Sequence, residues 1–174
     1  MPVWLVIALM VIFGVVDSCK PSNIATFEVT PQEFIKEYNS DVSADLRVYT
    51  FKSGVIASVD ENNQFGNLNK YTLDFSRDSK SGKMNHLNLY YNFSREPGGQ
   101  PTAEGMRKMT EFCVASIDAI DDGWLTSGDS ILQSLGFYAN KDGWQEYKKN
   151  GIKYRFDRDS TSGVIALSME AIKE

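Results

Sequence analysis

Few side chains of this protein belong to the types that do chemistry, and their spacing limits what they can do. His86 is the only histidine, and Cys19 and Cys113 are the only cysteines. A structural zinc ion normally takes four such ligands, so neither a metal nor any other cofactor is expected. His86 alternates with Leu87 and shares a polar face with Asn88 and Tyr90, the pattern of a hydrogen-bonded sheet residue. Asp118, Asp121 and Asp122 cluster near the end of a helical pattern. Paired carboxylates do acid–base work only when they flank an open cleft, which spacing alone does not place. Two acidic stretches, residues 157–163 and 60–64, are rich in oxygen ligands. A calcium loop of twelve residues needs Gly at the sixth position and Glu at the twelfth. Counted from Asp157, Gly163 is seventh and Ser168 twelfth, and counted from Asp60 the sixth residue is Phe65. Both stretches read as turns.

Gly128-Asp129-Ser130-Ile131 resembles the nucleophile block of GDSL-type hydrolases. In that family the block follows a buried strand, and the histidine base lies far downstream. Here Asp121-Asp122-Gly123-Trp124-Leu125 precedes it, and no histidine follows residue 86. A serine without a general base is not activated. The block reads as a helix start, and no catalytic residue is assigned anywhere in the chain.

The N-terminal segment carries a different kind of chemistry. Val3 to Val16 is an apolar run broken only by Gly14. It is shorter than the roughly 20 residues of a spanning helix, and it suits the core of a secretory signal. Residues 1–18 are therefore expected to be a cleaved signal peptide. Val16-Asp17-Ser18-Cys19 resembles the lipobox of bacterial lipoproteins, which implies lipid attachment at Cys19. Ordinary secretion and an uncleaved short anchor are the alternatives. Residues 19–28 then form a tether, and 29–174 a single globular domain. If Cys19 carries lipid, Cys113 stands alone as a buried thiol in a helical stripe; otherwise a disulfide between the two remains open.

The elements follow from periodicity and caps. Thr30, Pro31 and Glu33 predict a capped helix over residues 29–39, with Phe34, Ile35 and Tyr38 inward. Strands are expected at 46–51 and 55–59, then a loop over 60–69. Tyr71, Leu73 and Phe75, then Leu87, Leu89, Tyr91 and Phe93, alternate about a turn ending at Gly82, a β-hairpin. Residues 95–100 mark an internal boundary. Met106, Met109, Cys113, Ile117 and Ile120 form one stripe of a helix over 103–120. A short helix capped by Thr126, with Asp129 at N3, ends at Gly136. Trp144 and Tyr147 lie on a strand before a second hairpin, formed by 152–156 and 165–169.

The two hairpins share residues as well as shape. Phe75-Ser-Arg-Asp-Ser-Lys-Ser-Gly82 and Phe156-Asp-Arg-Asp-Ser-Thr-Ser-Gly163 are identical at six of eight positions, offset by 81. Turn chemistry explains the Asp, Ser and Gly but not the matched Phe and Arg. Glu33-Phe34 and Glu111-Phe112 recur at an offset of 78. The expected fold class is α+β: antiparallel β-sheet meanders packed against helices, arranged as tandem helix-plus-sheet units at 29–95 and 102–174. That order is similar to the arrangement in the β-lactamase inhibitor protein family, where it is duplicated, and in small outer-membrane assembly lipoproteins, where it is single. The likeness is to the pattern of elements and carries no site residue.

Composition limits the partners. The chain has 174 residues and a net charge of −5, with its cations scattered. A nucleic-acid surface needs a basic stripe, so nucleic acid is excluded. The expected function is that of an exported, lipid-anchored bacterial protein acting as a non-enzymatic protein-binding module. Its type would be an inhibitor, an immunity protein or an envelope-assembly factor. The partner is expected to be another protein of the cell envelope, and the place the periplasm or outer membrane, with membrane contact only through the anchor. Tyr49, Tyr90, Tyr91, Trp124, Phe137, Tyr138 and Trp144 are the candidate interface aromatics. The alternative is a carrier of an apolar ligand in a cavity between helix and sheet. Mass spectrometry of the mature N-terminus checks the export reading: a first residue Cys19 bearing a diacylglyceryl group is expected, and an unmodified Met1 contradicts it.

Overall fold

The computed structural model describes residues 23–48, 57–58, 70–121, 127–139 and 141–173. The apolar run, Cys19 and the loop 60–69 lie outside these residues. Helix α1 spans Pro31–Asp41 and starts as its sequence dictates. The Thr30 hydroxyl accepts from the Glu33 amide at 3.4 Å, and the Glu33 carboxylate accepts from the Thr30 amide at 2.8 Å. Phe34 and Tyr38, one turn apart, are fully buried and stack with centroids 5.7 Å apart.

The chain after α1 departs from expectation. Leu46 ends a 3₁₀ turn, Ala44–Leu46, rather than opening a strand. The cause is tertiary. Tyr38 Oη donates to the Leu46 carbonyl at 2.8 Å, and the Asn39 side chain both donates to and accepts from the Val48 backbone, at 2.7 and 2.8 Å. Side chains of α1 thus satisfy backbone groups that a neighbouring strand would otherwise take. Of the second expected strand, Ala57–Ser58 (β1) is described.

Strands β2 (Tyr71–Arg77) and β3 (Met84–Asn92) form the expected hairpin. Asp78 accepts the Ser81 amide at 2.8 Å, and Gly82 takes φ +72°, the left-handed conformation that favours glycine there. Asn85 is the extra residue of a bulge, since Ser76 faces His86 while Arg77 faces Met84. Phe93 falls in a 3₁₀ turn just past β3. Helix α2 runs Ala103–Asp118 with Thr102 as its cap, and α3 runs Gly128–Ser134. The α3 cap is Ser127, not the expected Thr126, which lies outside the described residues; Asp129 is accordingly at N2. Asp118 Oδ1 accepts from the Gly128 amide at 2.8 Å, so a carboxylate from the preceding helix satisfies this start. Strands β4 (Gly143–Lys149), β5 (Ile152–Asp159) and β6 (Val164–Ala171) complete the chain. Asn150 and Gly151, at φ +50° and +69°, turn β4 into β5 as a two-residue hairpin loop demands.

The six strands form one antiparallel sheet in the order β1-β2-β3-β6-β5-β4. The order reads alike from both edges when β1–β3 are matched with β4–β6. Phe75 and Phe156 are both buried, and Gly82 and Gly163 take φ +72° and +73°. The helices correspond less closely. Glu33 belongs to the α1 cap, whereas Glu111 lies in the middle of α2 and accepts from the Ser43 amide. Among the described residues the three α-helices cover one face of the sheet, and a single core lies between the layers. Phe27 is 3% exposed and its amide donates to the Met84 carbonyl, so residues ahead of α1 also join the body.

The expected boundary at 95–100 is a fixed strut. Two 3₁₀ turns, Phe93–Arg95 and Pro97–Gly99, deliver Glu96 into a site where it is 7% exposed. There its carboxylate accepts from Tyr91 Oη at 2.7 Å and pairs with Lys70 at 2.6 Å. Burial pushes this carboxyl up, but the hydrogen bonds from Lys70 and Tyr91 outweigh it and hold it below its ordinary range. Gly105, in the first turn of α2, admits this arrangement. A Cβ there would lie 1.9 Å from Tyr91 Oη and 2.6 Å from Glu96 Oε1. Gly105→Ala is therefore expected to destabilise the protein by about 3 kcal/mol in denaturant titration. Adding Tyr91→Phe, which deletes the nearest atom, should recover part of that loss.

Candidate functional site

The face of the sheet opposite the helices is the site the fold presents. Strand alternation sends Leu87, Leu89 and Tyr91 to the core and His86, Asn88 and Tyr90 to this face. Register then fixes the neighbours: His86 faces Glu170, Asn88 faces Ser168 and Tyr90 faces Ala166. On the other side of β3, Asp74 faces Asn88. Lys153, Arg155 and Asp157 follow on β5, and Trp144, Glu146 and Lys148 on β4.

A chain of polar contacts crosses the middle of this face. Asn88 Nδ2 donates to Asp74 Oδ1 at 2.7 Å, which orients the amide and leaves Asn88 Oδ1 as the acceptor. His86 Nε2 lies 2.8 Å from that oxygen and 3.3 Å from Ser168 Oγ. The pair resembles a nucleophile and its base, but the proton is misplaced. With Asn88 Oδ1 accepting, Nε2 carries the hydrogen and offers no lone pair to the serine. Lys153 pairs with Glu170, which is held below its usual range chiefly by that contact.

Toward β4 the face becomes aromatic and cationic. The Arg155 guanidinium lies 5.0 Å from the centre of the Trp144 ring, and Trp144 is 60% exposed. Tyr138, on the helical side, is 50% exposed and donates to Asp129. Of the expected interface aromatics, Tyr91 and Phe137 are core residues, because strand alternation and the 3₁₀ turn Phe137–Ala139 point them inward. Tyr90 is half-buried, and Tyr49 and Trp124 lie outside the described residues. Arg155 was not singled out from sequence, although alternation along β5 with Tyr154 and Phe156 marks it as facing outward.

The other chemistry-bearing residues have structural tasks. Ser130 is exposed on α3, in the layer that the sheet separates from His86. Asp118 holds the start of α3; burial, with Asp41 and Asp121 nearby, pushes its carboxyl up against that hydrogen bond. Asp121 accepts from Asn150 Nδ2 at 3.1 Å and from Tyr154 Oη at 3.3 Å, tying the end of α2 to the β4–β5 turn. Asp121 and Asn150 border a surface cleft of about 380 Å³ that Thr26, Glu28 and Ile172 also line. Asp122 lies outside the described residues. Asp159 Oδ1 accepts from the amides of Thr161 and Ser162, and the Ser162 side chain together with these amides holds it below its ordinary range. Among the described residues no three His, Cys, Asp or Glu side chains converge to hold a metal ion. Cys113 is a free, fully buried thiol that burial pushes far up.

No family model matches the chain, and neither a curated protein nor a solved structure matches it. The fold itself is α+β, one antiparallel sheet with its helices on one face. The geometry at Ser168 makes a direct prediction. A fluorophosphonate probe, which marks activated serines, should leave Ser168 and Ser130 unlabelled in peptide mass spectra; labelling of Ser168 would mean that His86 acts as its base.

Proposed function

We propose that this protein is an exported bacterial binding module, anchored by lipid at Cys19, that recognises another envelope protein without catalysing a reaction. Inhibitor, immunity and envelope-assembly roles all fit this description. The observation that carries the reading is Trp144, exposed at one side of the uncovered face and stacked on Arg155. Trp and Arg, with Tyr, are the residues that most often anchor protein interfaces, and the stack on Trp144 already orders the Arg155 side chain. The middle of the face, at Asp74, His86, Asn88 and Ser168, is polar, half-buried and already hydrogen-bonded, as a recognition surface needs if docking is not to strand buried polar groups.

We further propose that the two halves arose by duplication. The matched hairpin residues and the symmetric strand order support this. Duplication would explain how β3 and β6 come to lie together and build one wide face.

Capture on immobilised protein from an envelope extract tests the function. The native protein should retain a specific protein partner at moderate salt. Trp144→Ala should weaken the purified complex by about 2 kcal/mol, or roughly thirtyfold in Kd. If nothing is retained at any salt and native mass spectrometry instead shows a co-purifying small molecule, the reading gives way to an apolar-ligand carrier.

A further inference from the structure

Strand β4 ends the sheet, and among the described residues its only strand neighbour is β5. It is seven residues long and exposed along most of its length. A long open edge is a template for another strand, and proteins that avoid this fate shorten it, bend it, break it with proline or load it with charge, lysine above all. β4 is neither short nor interrupted by a bulge or proline, and its three charged residues, Glu146, Lys148 and Lys149, do not share one sign. Its outward-facing charges alternate in sign: Glu146, then Lys148.

Within the chain these two charges are unequally served. Glu146 faces Arg155 across the ladder, whereas Lys148 faces another cation, Lys153. Lys153 is already paired with Glu170. Lys148 reaches Glu146 on its own strand only at 3.8 Å. The β5 side therefore offers Lys148 no carboxylate opposite it, and the outer side of β4 is where one would fit.

We propose that β4 pairs with β4 of a second copy of this chain, antiparallel, with Tyr147 on the two-fold axis. In that register Glu146 of each copy faces Lys148 of the other, so two opposite-charge pairs form across the new ladder. Gln145 faces Lys149, and the two half-buried Tyr147 side chains meet on the helix-covered side. The neighbouring registers are poorer. Moving the axis to Glu146 sets two carboxylates face to face, and moving it to Lys148 sets two ammonium groups face to face. The two six-stranded sheets then run on as one, and the uncovered faces of both copies lie on the same side. This inference rests on the β4 edge and not on the binding role of Trp144, so either can fail without the other.

Sedimentation equilibrium of the full processed protein, in detergent matched to buffer density, tests it. The native protein should dimerise in the micromolar range. Glu146→Lys and Lys148→Glu should each weaken the dimer at least tenfold, because each places like charges in both pairs. Glu146→Lys/Lys148→Glu should restore it. So should an equimolar mixture of the two single variants, in which every cross-strand pair is again opposite in sign. The Lys148 side chain is 61% exposed and that of Glu146 35%, so all variants are expected to stay folded, with Glu146→Lys melting slightly lower because it faces Arg155. A native protein that stays monomeric at 100-fold the micromolar range overturns the proposal, as does a dimer that ignores the single substitutions.

Discussion

The architecture depends on the antiparallel pairing of β3 with β6. Each strand belongs to its own meander, one from each half of the chain, and this seam makes a single sheet of them. On the covered side Leu87 meets Met169, Leu89 meets Leu167 and Tyr91 meets Ile165, all with no measurable exposure. Three-stranded pieces of this size would each expose that apolar row, at a cost of roughly 2 kcal/mol for each large side chain left in water. Joined, they share one layer of helices. The same pairing puts His86, Asn88 and Tyr90 beside Glu170, Ser168 and Ala166, so one register sets both the core and the uncovered face.

The connection between halves is held by charge rather than by apolar packing. Glu96 leaves β3 through two tight turns and meets Lys70, Tyr91 and Thr102 within hydrogen-bonding distance. A carboxylate so buried is tolerable only because cation and hydroxyl both favour its ionised form. The stacked rings of Tyr71 and Tyr91, 5.0 Å apart, wall it in, and Tyr71 Oη donates to the Gly105 carbonyl. The start of α2 is thereby fixed to β2 and β3, and the stretch 95–100 that reads as a boundary works as a brace.

What was legible in the sequence was what local physics decides. The capping box of α1, the alternation of β2, β3, β5 and β6, and Gly82 at a left-handed turn all follow from residues within a few positions of each other. The misreadings arose where a distant group intervened. Residues 46–48 look like a strand, yet Tyr38 and Asn39 take their backbone bonds. The α3 start moved by one residue because Asp118, on another helix, serves it. On the candidate face, aromatic type alone could not separate Tyr90 from Tyr91; only the parity of the strand does. The Trp144–Arg155 stack needed the β4–β5 register, which no local pattern reports.

The two halves also show which positions the fold constrains. Superposed on their 81-residue offset, Phe75 and Phe156 occupy the same covered place, as do Leu73 and Tyr154, and all four are buried. Between them lie Asp74 and Arg155, equivalent in position and opposite in charge, on the uncovered face. Thr72 and Lys153 also differ, one neutral and one charged, as do Ser76 and Asp157. Close packing holds the inward positions to large apolar side chains, because a change of volume there is felt by several neighbours. Most of these outward positions meet solvent and cross-strand partners, Thr72 being the buried exception, so their charge is freer to differ. The two sides differ: the β2 side carries a hydrogen-bonded chain through Asp74 and Asn88, and the β5 side a cation beneath an exposed indole. Matched inward residues with unlike outward ones present two surfaces on one face, and the β5 side, with Arg155, is the one left with an aromatic group in water.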